Sequence, residues 1–339
     1  MKLVETLLVR DEVDVIDAHL AFHLAAGVDF VLAFDHESSD GTSDVLESYA
    51  RSGVLERIPK SGPLREIDWR TELARMAAVD HEASWVVNAD ADQFWWSVHG
   101  SLRRALERVP SSYGLVRSFD RAFVPRPDDG RHFAERMTTR LAAQAPLNLP
   151  SSAYRPLPRV LHRGDPGIRV SRGSHTVSNS DLRLFPPTSE IEVLHFPWRS
   201  AAQMARKAAA MDRAFARGPR QPAEYHAAAR RAALSGGGDA HYSAMVVDNP
   251  TLAHGLEAGC LAEDTRVRDA LRSLADVSPL PPPGGLSFGS RPPGVVTLSD
   301  AASDRLRRRL EGALNDEAEL VRLQRRLDVV GARLGATQS

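Results

Sequence analysis

Asp90 and Asp92 are separated by one residue, follow the apolar run Trp85-Val86-Val87 and precede Phe94-Trp95-Trp96. Side chains two apart on an extended segment project to one side, so both carboxylates face one small volume. Two like charges held that close call for a cation. Hard oxygen ligands suit Mg²⁺ or Mn²⁺, which keep open positions for phosphate oxygens. A sugar nucleotide fits such a site, because departure of its diphosphate leaves negative charge on oxygens that the metal stabilises. Acidic residues two apart are also common in solvated loops. What singles out this pair is its place at a strand's C-terminal end, the usual ligand edge of an open α/β sheet.

The elements that must position the pair follow from hydrophobic periodicity. Leu3 to Val9 reads as a buried strand, and Val13, Ile16, Leu20 and Leu24 recur at helical spacing until Gly27. A second strand over 30–34 runs into the polar loop Asp35-His36-Glu37-Ser38-Ser39-Asp40-Gly41-Thr42, and helices follow over 43–52 and 68–82. This alternation predicts an α/β fold of βαβ units around a mostly parallel sheet. Residues 113–195 are β-rich and irregular, with strands expected at 115–116, 159–161, 168–170 and 191–194, before an Ala-rich helix over 200–217 and further helix to Arg231.

Six prolines and four glycines between Val277 and Thr297 predict a linker. Beyond it, Leu320, Leu323, Leu327, Val330 and Leu334 recur by threes and fours, a short coiled-coil seam through which two copies could pair, although Glu317 interrupts it. The expected organisation is a catalytic domain over 1–200 (nucleotide half 1–100, acceptor half 101–200), a helical extension over 201–276, the linker 277–297 and one long helix over 298–339.

The 339 residues are 42% apolar and 26% charged, enough for a large core and against wholesale disorder. The formal net charge of −1 argues against a nucleic-acid partner, which demands a concentrated basic excess. Cys260 is the one cysteine, which leaves no intrachain disulfide or cysteine-based zinc cluster and fits a reducing compartment, so a cytoplasmic location is expected. Met1-Lys2-Leu3-Val4-Glu5 reaches an acidic residue too early for a signal peptide, and no stretch approaches the ~20 apolar residues of a membrane span.

Three motifs, in order, carry a family resemblance. Val9-Arg10-Asp11-Glu12, followed by a helix and Ala26-Gly27-Val28-Asp29, resembles the opening of family 2 glycosyltransferases and their family 92-type relatives. The loop from Asp35 to Thr42 is similar to their D-N-x-S-x-D-G-T loop, and Asn88-Ala89-Asp90-Ala91-Asp92-Gln93-Phe94 to their D-x-D-E-F segment. The resemblance implies a GT-A fold, Rossmann-like with a mostly parallel sheet flanked by helices, here with a helical C-terminal extension. It implies metal-dependent transfer of a sugar from a nucleotide-sugar donor, UDP-linked by preference, to a hydroxyl acceptor with inversion.

Carried over residue by residue, the resemblance puts Asp35 against the base or ribose and Arg70 along the base and phosphates, the alternative for Arg70 being an exposed helical arginine. Arg10 and Glu12 lie where the first strand opens into the site, although Glu12 reads equally as an acid at a helix N-terminus. Asp40 and Thr42 are natural caps for the following helix. Gln93 departs from the family, whose members often carry an acid there; a neutral amide cannot serve as a general base.

The second half supplies His162, His175 and His195, and many GT-A enzymes place a histidine from this part of the chain on the metal or diphosphate. His175, after the turn residue Gly173, and His195, at a strand end, join Asp90 and Asp92 as candidate metal ligands, with a structural hydrogen-bonding role as the alternative for each. Arg159 and Arg199 are candidate phosphate clamps, with Lys207 of the same kind. Asp165 in Gly164-Asp165-Pro166-Gly167 is a candidate general base, although Asp-Pro-Gly is also ordinary turn chemistry. Phe94, Trp95 and Trp96 could stack on a sugar ring or lipid-like acceptor, although at least one of the three should pack into the core. The acceptor classes left open are a glycan, a lipid-linked precursor and a metabolite. Two competing functions use the same residues: a nucleotidyltransferase or nucleotide-sugar diphosphohydrolase, and a degenerate GT-A scaffold whose C-terminal helix is the interaction element.

Overall fold

The computed structural model describes residues 1–142, 158–186, 190–215 and 237–275. The predicted linker 277–297, the helix over 298–339 with its seam, and the helical stretch from 216 to Arg231 lie outside the described residues. The chain opens as β1 (Leu3–Val9), α1 (Ile16–Ala25), β2 (Phe30–His36), α2 (Thr42–Arg51), β3 (Leu55–Lys60), α3 (Glu66–Val79) and β4 (Trp85–Ala89). It continues with β5 (Gln93–Ser97), α4 (Leu102–Glu107), β6 (Leu115–Ala122), α5 (Phe133–Arg136) and β7 (Thr139–Leu141). Then come β8 (Arg159–Arg163), β9 (Arg169–Val170), β10 (Val177–Ser178), β11 (Ile191–His195) and α6 (Ala201–Phe215). The elements α7 (Gly238–Met245), α8 (Asn249–Glu257), β12 (Leu261–Glu263) and α9 (Arg266–Ala275) complete the described chain.

Eight strands form the central sheet in the order β3-β2-β1-β4-β8-β6-β11-β5. From β3 to β4 every pairing is parallel, as βαβ units require; β8 is antiparallel to both neighbours, β6 and β11 pair in parallel, and β5 closes the edge antiparallel to β11. The α/β expectation, a largely parallel sheet flanked by helices, is met. Strands covered on both faces read as continuous apolar runs, and β1 shows how the faces divide. Leu3 and Leu7 pack with Ile16 and Leu20 of α1, whereas Val4 packs with Trp69, Leu73 and Ala77 of α3. Period-two alternation therefore aims Glu5 at α1, where it is fully buried.

Several sequence boundaries shift. Val13 lies before α1 and is 36% exposed, so it takes no part in the helical stripe. β3 and β5 were unread: β3 is half-exposed and carries Pro59, and β5 sits so close to β4 that its aromatics merge with the aspartate segment. Phe94, Trp95 and Trp96 all pack into the core, at 0%, 0% and 5% exposure. The core packing expected of at least one extends to all three, and none is open to stack on substrate, because β5 lies against α1, α4 and β11. Among the described residues no helix is long and apolar enough to cross a membrane.

A buried ion network ties the last helix to the strand that carries His195. Arg266 at the start of α9 donates to Glu192 of β11 at 2.7 Å and Arg121 of β6 donates to the same carboxylate at 2.7 Å. Asp264 satisfies Arg266 at 2.8 Å and Arg140 of β7 at 2.7 Å. Charges this deep persist only when fully partnered, so the network holds β6, β7, β11 and α9 in one arrangement.

Candidate active site

The chain turns sharply where β4 ends. The Gln93 N–H donates to the Asp90 carbonyl at 3.0 Å, Ala91 is buried in the turn, and β5 runs back along β11 with Gln93 opposite His195. The Phe196 N–H then donates to the Asp92 carbonyl at 2.9 Å. That register sets His195 Nε2 at 3.4 Å from Asp92 Oδ1. On the other side of β11, Ala122 lies opposite His195, so Asp120, two residues earlier in β6, shares its face. Asp120 Oδ2 stands 3.2 Å from His195 Nδ1.

Cations crowd both carboxylates. Asp90, 29% exposed, is paired with Arg70, accepts from Gln93 Nε2 at 2.7 Å and has Arg159 at 3.8 Å. Asp92 is nearly inaccessible; its Oδ2 meets Lys207 Nζ at 2.9 Å, with Arg199 at 3.8 Å. Burial would raise both acids, but Arg70 and Arg159 bring Asp90 down to about 2, and Lys207 and His195 hold Asp92 well below the usual carboxylate range. Burial would likewise depress His195, yet Asp120 and Asp92 push it up to about 9.

The structure brings most of the sequence candidates to this edge. Arg70 is no exposed helical arginine: it is 7% exposed and bridges Asp90, Glu66 at 3.3 Å and the Ser174 hydroxyl at 3.2 Å. Arg159 donates to the Gly173 carbonyl at 2.6 Å and to Asp120 at 3.4 Å. Arg199, 1% exposed, is locked by Glu12, by Asp14 at 2.7 Å and by the Phe196 carbonyl at 3.0 Å. It anchors the β1–α1 loop to the segment after β11. Arg10 faces Asp11 and Glu37, each at 3.6 Å. Asp35 closes β2, where it takes Arg57 at 2.8 Å and the Ser43 hydroxyl at 2.6 Å. Its carboxyl is lowered, burial being outweighed by Ser38, Ser43 and Arg57. Asp40 accepts from Thr42 N–H at 3.0 Å and Val13 N–H at 3.0 Å, so it holds the loop ahead of α2, whose N-cap is Gly41 without a side-chain cap bond.

Two candidates stand elsewhere, and a third lies beside Arg159. Asp165 accepts from Gly167 N–H at 2.8 Å and Ser180 Oγ at 2.5 Å, inside its own turn. β8 runs antiparallel to β4 and ends with Arg163 opposite Trp85, so Asp165 lies beyond the sheet edge opposite Asp90 and is not positioned as a base. His162 is fully buried within β8, donates from Nδ1 to the Arg163 carbonyl at 2.9 Å, and is pushed down to about 4 by burial. His175 donates from Nδ1 to the Pro158 carbonyl at 2.9 Å, and burial with the Arg159 charge pushes it down to about 3. It is held beside Arg159 at 3.4 Å, near enough to Asp90 and Asp120 for their charges to act on it.

Asp120 is the site residue that sequence reading missed. Its Oδ1 is buried with no hydrogen-bond partner, while Oδ2 serves His195 and Arg159. Its signal was an acid near the end of a strand that continues six residues past Val116. A second acid-imidazole cluster lies deep in the core, where Glu5, His19 and His23 are close enough to share a metal ion and all are 0% exposed. There the Trp95 N–H donates to His23 Nε2 at 2.9 Å, which leaves the proton on Nδ1, facing Glu5 at 3.2 Å. No His23 lone pair points at the cluster centre, so this set fits hydrogen bonding rather than a metal.

The fold and site define an acid pair, ringed by cations, at the C-terminal edge of a mixed α/β sheet. No family model matches the sequence, and no curated protein matches it. Among solved structures, the chain is similar to S. aureus TarS 1-349, with 13% identity over 88% of this chain and 100% of that one, at a TM-score of 0.35. The complex of that protein with UDP matches at 0.31, with 13% identity, over 85% of this chain and 100% of that one. Glucosyl-3-phosphoglycerate synthase from Mycobacterium tuberculosis, with Mn²⁺, UDP and glucosyl-3-phosphoglycerate, matches at 0.25, with 16% identity over 48% of this chain and 56% of that one.

Proposed function

We propose that the chain is a metal-dependent GT-A glycosyltransferase that moves a sugar from a nucleotide-sugar donor, UDP-linked by preference, to a hydroxyl acceptor with inversion. The observation that carries this reading is the convergence of Asp92 Oδ1 and His195 Nε2 to 3.4 Å at the strand edge. Neighbouring ligand atoms around an ion at roughly 2.1 Å are about 3 Å apart, so the pair fits a Mn²⁺ or Mg²⁺ ion. Asp120 accepts the Nδ1–H of His195, so that once the second proton leaves Nε2 its lone pair would face Asp92, the arrangement expected of a ligating histidine. Asp90, the more exposed carboxylate, stands at the same edge, although among the described residues it does not group with Asp92 and His195 closely enough to share the ion as placed. When bound, the ion supplies positive charge for the departing diphosphate.

The chain's own residues do the remaining work. Arg70 and Arg159, already oriented by Glu66, Ser174 and the Gly173 carbonyl, offer guanidinium charge at the mouth beside Asp90. A cation fixed before the substrate arrives loses little entropy on binding it. Gln93 does not act on the acceptor proton; it accepts from the Asp90 N–H at 3.3 Å and donates back to the carboxylate, which fixes the turn.

Purified protein incubated with a panel of sugar nucleotides and Mn²⁺ should be stabilised by one nucleotide class, and donor turnover should release a nucleoside diphosphate. Asp92→Asn should abolish metal-dependent turnover without unfolding the chain. Release of pyrophosphate or of a nucleoside monophosphate would instead identify a nucleotidyltransferase or a diphosphohydrolase, and binding of none of the panel would sink the transferase.

A further inference from the structure

The acid that the family resemblance sets against the base is closed to one. Asp35 is 2% exposed; its Oδ2 takes the Ser43 hydroxyl at 2.6 Å and two nitrogens of Arg57 at 2.8 Å, while Oδ1 accepts from the Ser38 N–H at 3.3 Å. It also faces away from the acid pair. Val31 and Ala33 pack in the core beneath α1, so alternation along β2 turns Asp35 to that face, where Ser43 lies in the first turn of α2. Asp90 pairs with Arg70 of α3, on the opposite face. Arg10 shares that opposite face: Leu8 packs beside Trp69 and Leu73 of α3, and Arg10 follows it by two residues. Its Nε is buried without a hydrogen-bond partner, and its two acids, Asp11 and Glu37, both stand at 3.6 Å, beyond bonding distance. Glu37 Oε1 accepts from the Gly62 N–H at 3.1 Å, and the side chain stays 47% exposed. Asp11 and Glu37 both hold left-handed backbone, φ 52° and 54°, a cost that recurs where loops aim side chains at a ligand.

A guanidinium only donates and an ionised carboxylate only accepts. Arg10 Nη1 and Glu37 Oε2, side by side at 3.6 Å, therefore present a donor next to an acceptor. Uracil and guanine carry the complement, a carbonyl oxygen beside a ring N–H. Cytosine and adenine carry the reverse, an amino group beside a bare ring nitrogen, which would set donor against donor and leave polar groups unpaired. The sheet order places the pair within reach: β1, which leads into Arg10, lies between β4, which leads into Asp90, and β2, which leads into Glu37. Two strand spacings, about 10 Å, separate the ends of β4 and β2. A diphosphate beside Asp90 and Arg70 can thus lay its ribose across the end of β1 and its base against Arg10 and Glu37. We propose that Arg10 and Glu37 read the base of the donor and select a keto base, uracil or guanine, over cytosine and adenine, while Asp35 only ties β3 to α2. The inference rests on the transferase reading above and departs from the family resemblance, which gives the base to Asp35.

The test measures binding of UDP, CDP, GDP and ADP by calorimetry, each with Mn²⁺ in excess, on the wild-type chain, Arg10→Met, Glu37→Ala and Asp35→Asn. The wild type should bind UDP at least about 10-fold more tightly than CDP, and GDP more tightly than ADP by a similar factor. Arg10→Met keeps the apolar stem, removes the donors and should lose most of both preferences. Glu37→Ala, at a half-exposed position, should narrow them in the same direction, and Asp35→Asn should keep them. Equal affinity for UDP and CDP in the wild type overturns the proposal without any variant. Preferences that survive in a folded Arg10→Met, or in Glu37→Ala should the methionine variant fail to fold, overturn it as well. Their loss in a folded Asp35→Asn overturns it in favour of Asp35. A wild type that binds no nucleoside diphosphate at all overturns the transferase reading and this inference with it, an outcome distinct from binding without base preference.

Discussion

Two clusters in this molecule are built from the same parts, carboxylate and imidazole, and differ in what encloses them. At the sheet edge, Asp120 takes the Nδ1 side of His195, so Nε2 is turned toward Asp92 and the partly exposed Asp90 and Lys207 open the site to solvent. In the core, the Trp95 N–H occupies His23 Nε2, and Glu5, His19 and His23 are sealed beneath α1. Composition does not separate a binding site from a structural one; the hydrogen bond on the far nitrogen and access from solvent do.

The largest effect should come from the core cluster. His23→Ala leaves Glu5 short of a partner and the Trp95 N–H at the edge of β5 unpaired, and breaking a buried pair costs about 3–5 kcal/mol. Denaturant unfolding should register that loss while UDP affinity of the folded fraction stays the same. A large change in UDP affinity would mean that the two clusters are not separate.

A third imidazole extends the core side of the comparison. The unfolded chain protonates His162 near the usual 6.5, whereas the folded chain refuses that proton until about 4. Stability present above pH 6.5 should therefore fall as pH drops through this window, by about 3 kcal/mol at 1.36 kcal/mol per unit. Thermal melts of His162→Gln should show a flatter acid limb than the wild type. Parallel limbs would remove His162 as the cause.

At the edge, Asp120→Asn keeps an acceptor for the His195 Nδ1–H but removes the charge behind it. Loss of an outer partner of this kind costs about 10–100-fold in metal affinity. Mn²⁺ titration in the presence of UDP should show that loss. A melting temperature that falls while Mn²⁺ affinity is kept would make Asp120 a structural residue and erase the contrast with Glu5.

Much of the acid-pair edge was legible because its signals are local. The apolar run of β1, the loop bonds of Asp40 and Thr42, and the strand leading into Asp90 each lie within a few residues of the segment they position. His195 was legible as a strand end for the same reason. Asp120, by contrast, acts only through the parallel register of β6 and β11, and Asp165 was misplaced because strand direction cannot be read from a turn motif. Glu5 looked like an ordinary acid near the start of the chain until α1 supplied two histidines to cover it.

The sequence by itself determined that two acids follow a core strand at the ligand edge of an α/β sheet, since periodicity and turn chemistry act over short spans. Only the tertiary structure decided which histidine faces Asp92, which acid stands behind it, and that Arg70, Arg159, Arg199 and Lys207 converge on the pair. Those choices are set by strand order and by burial, which raises the strength of each ion pair and requires every partner to be in place.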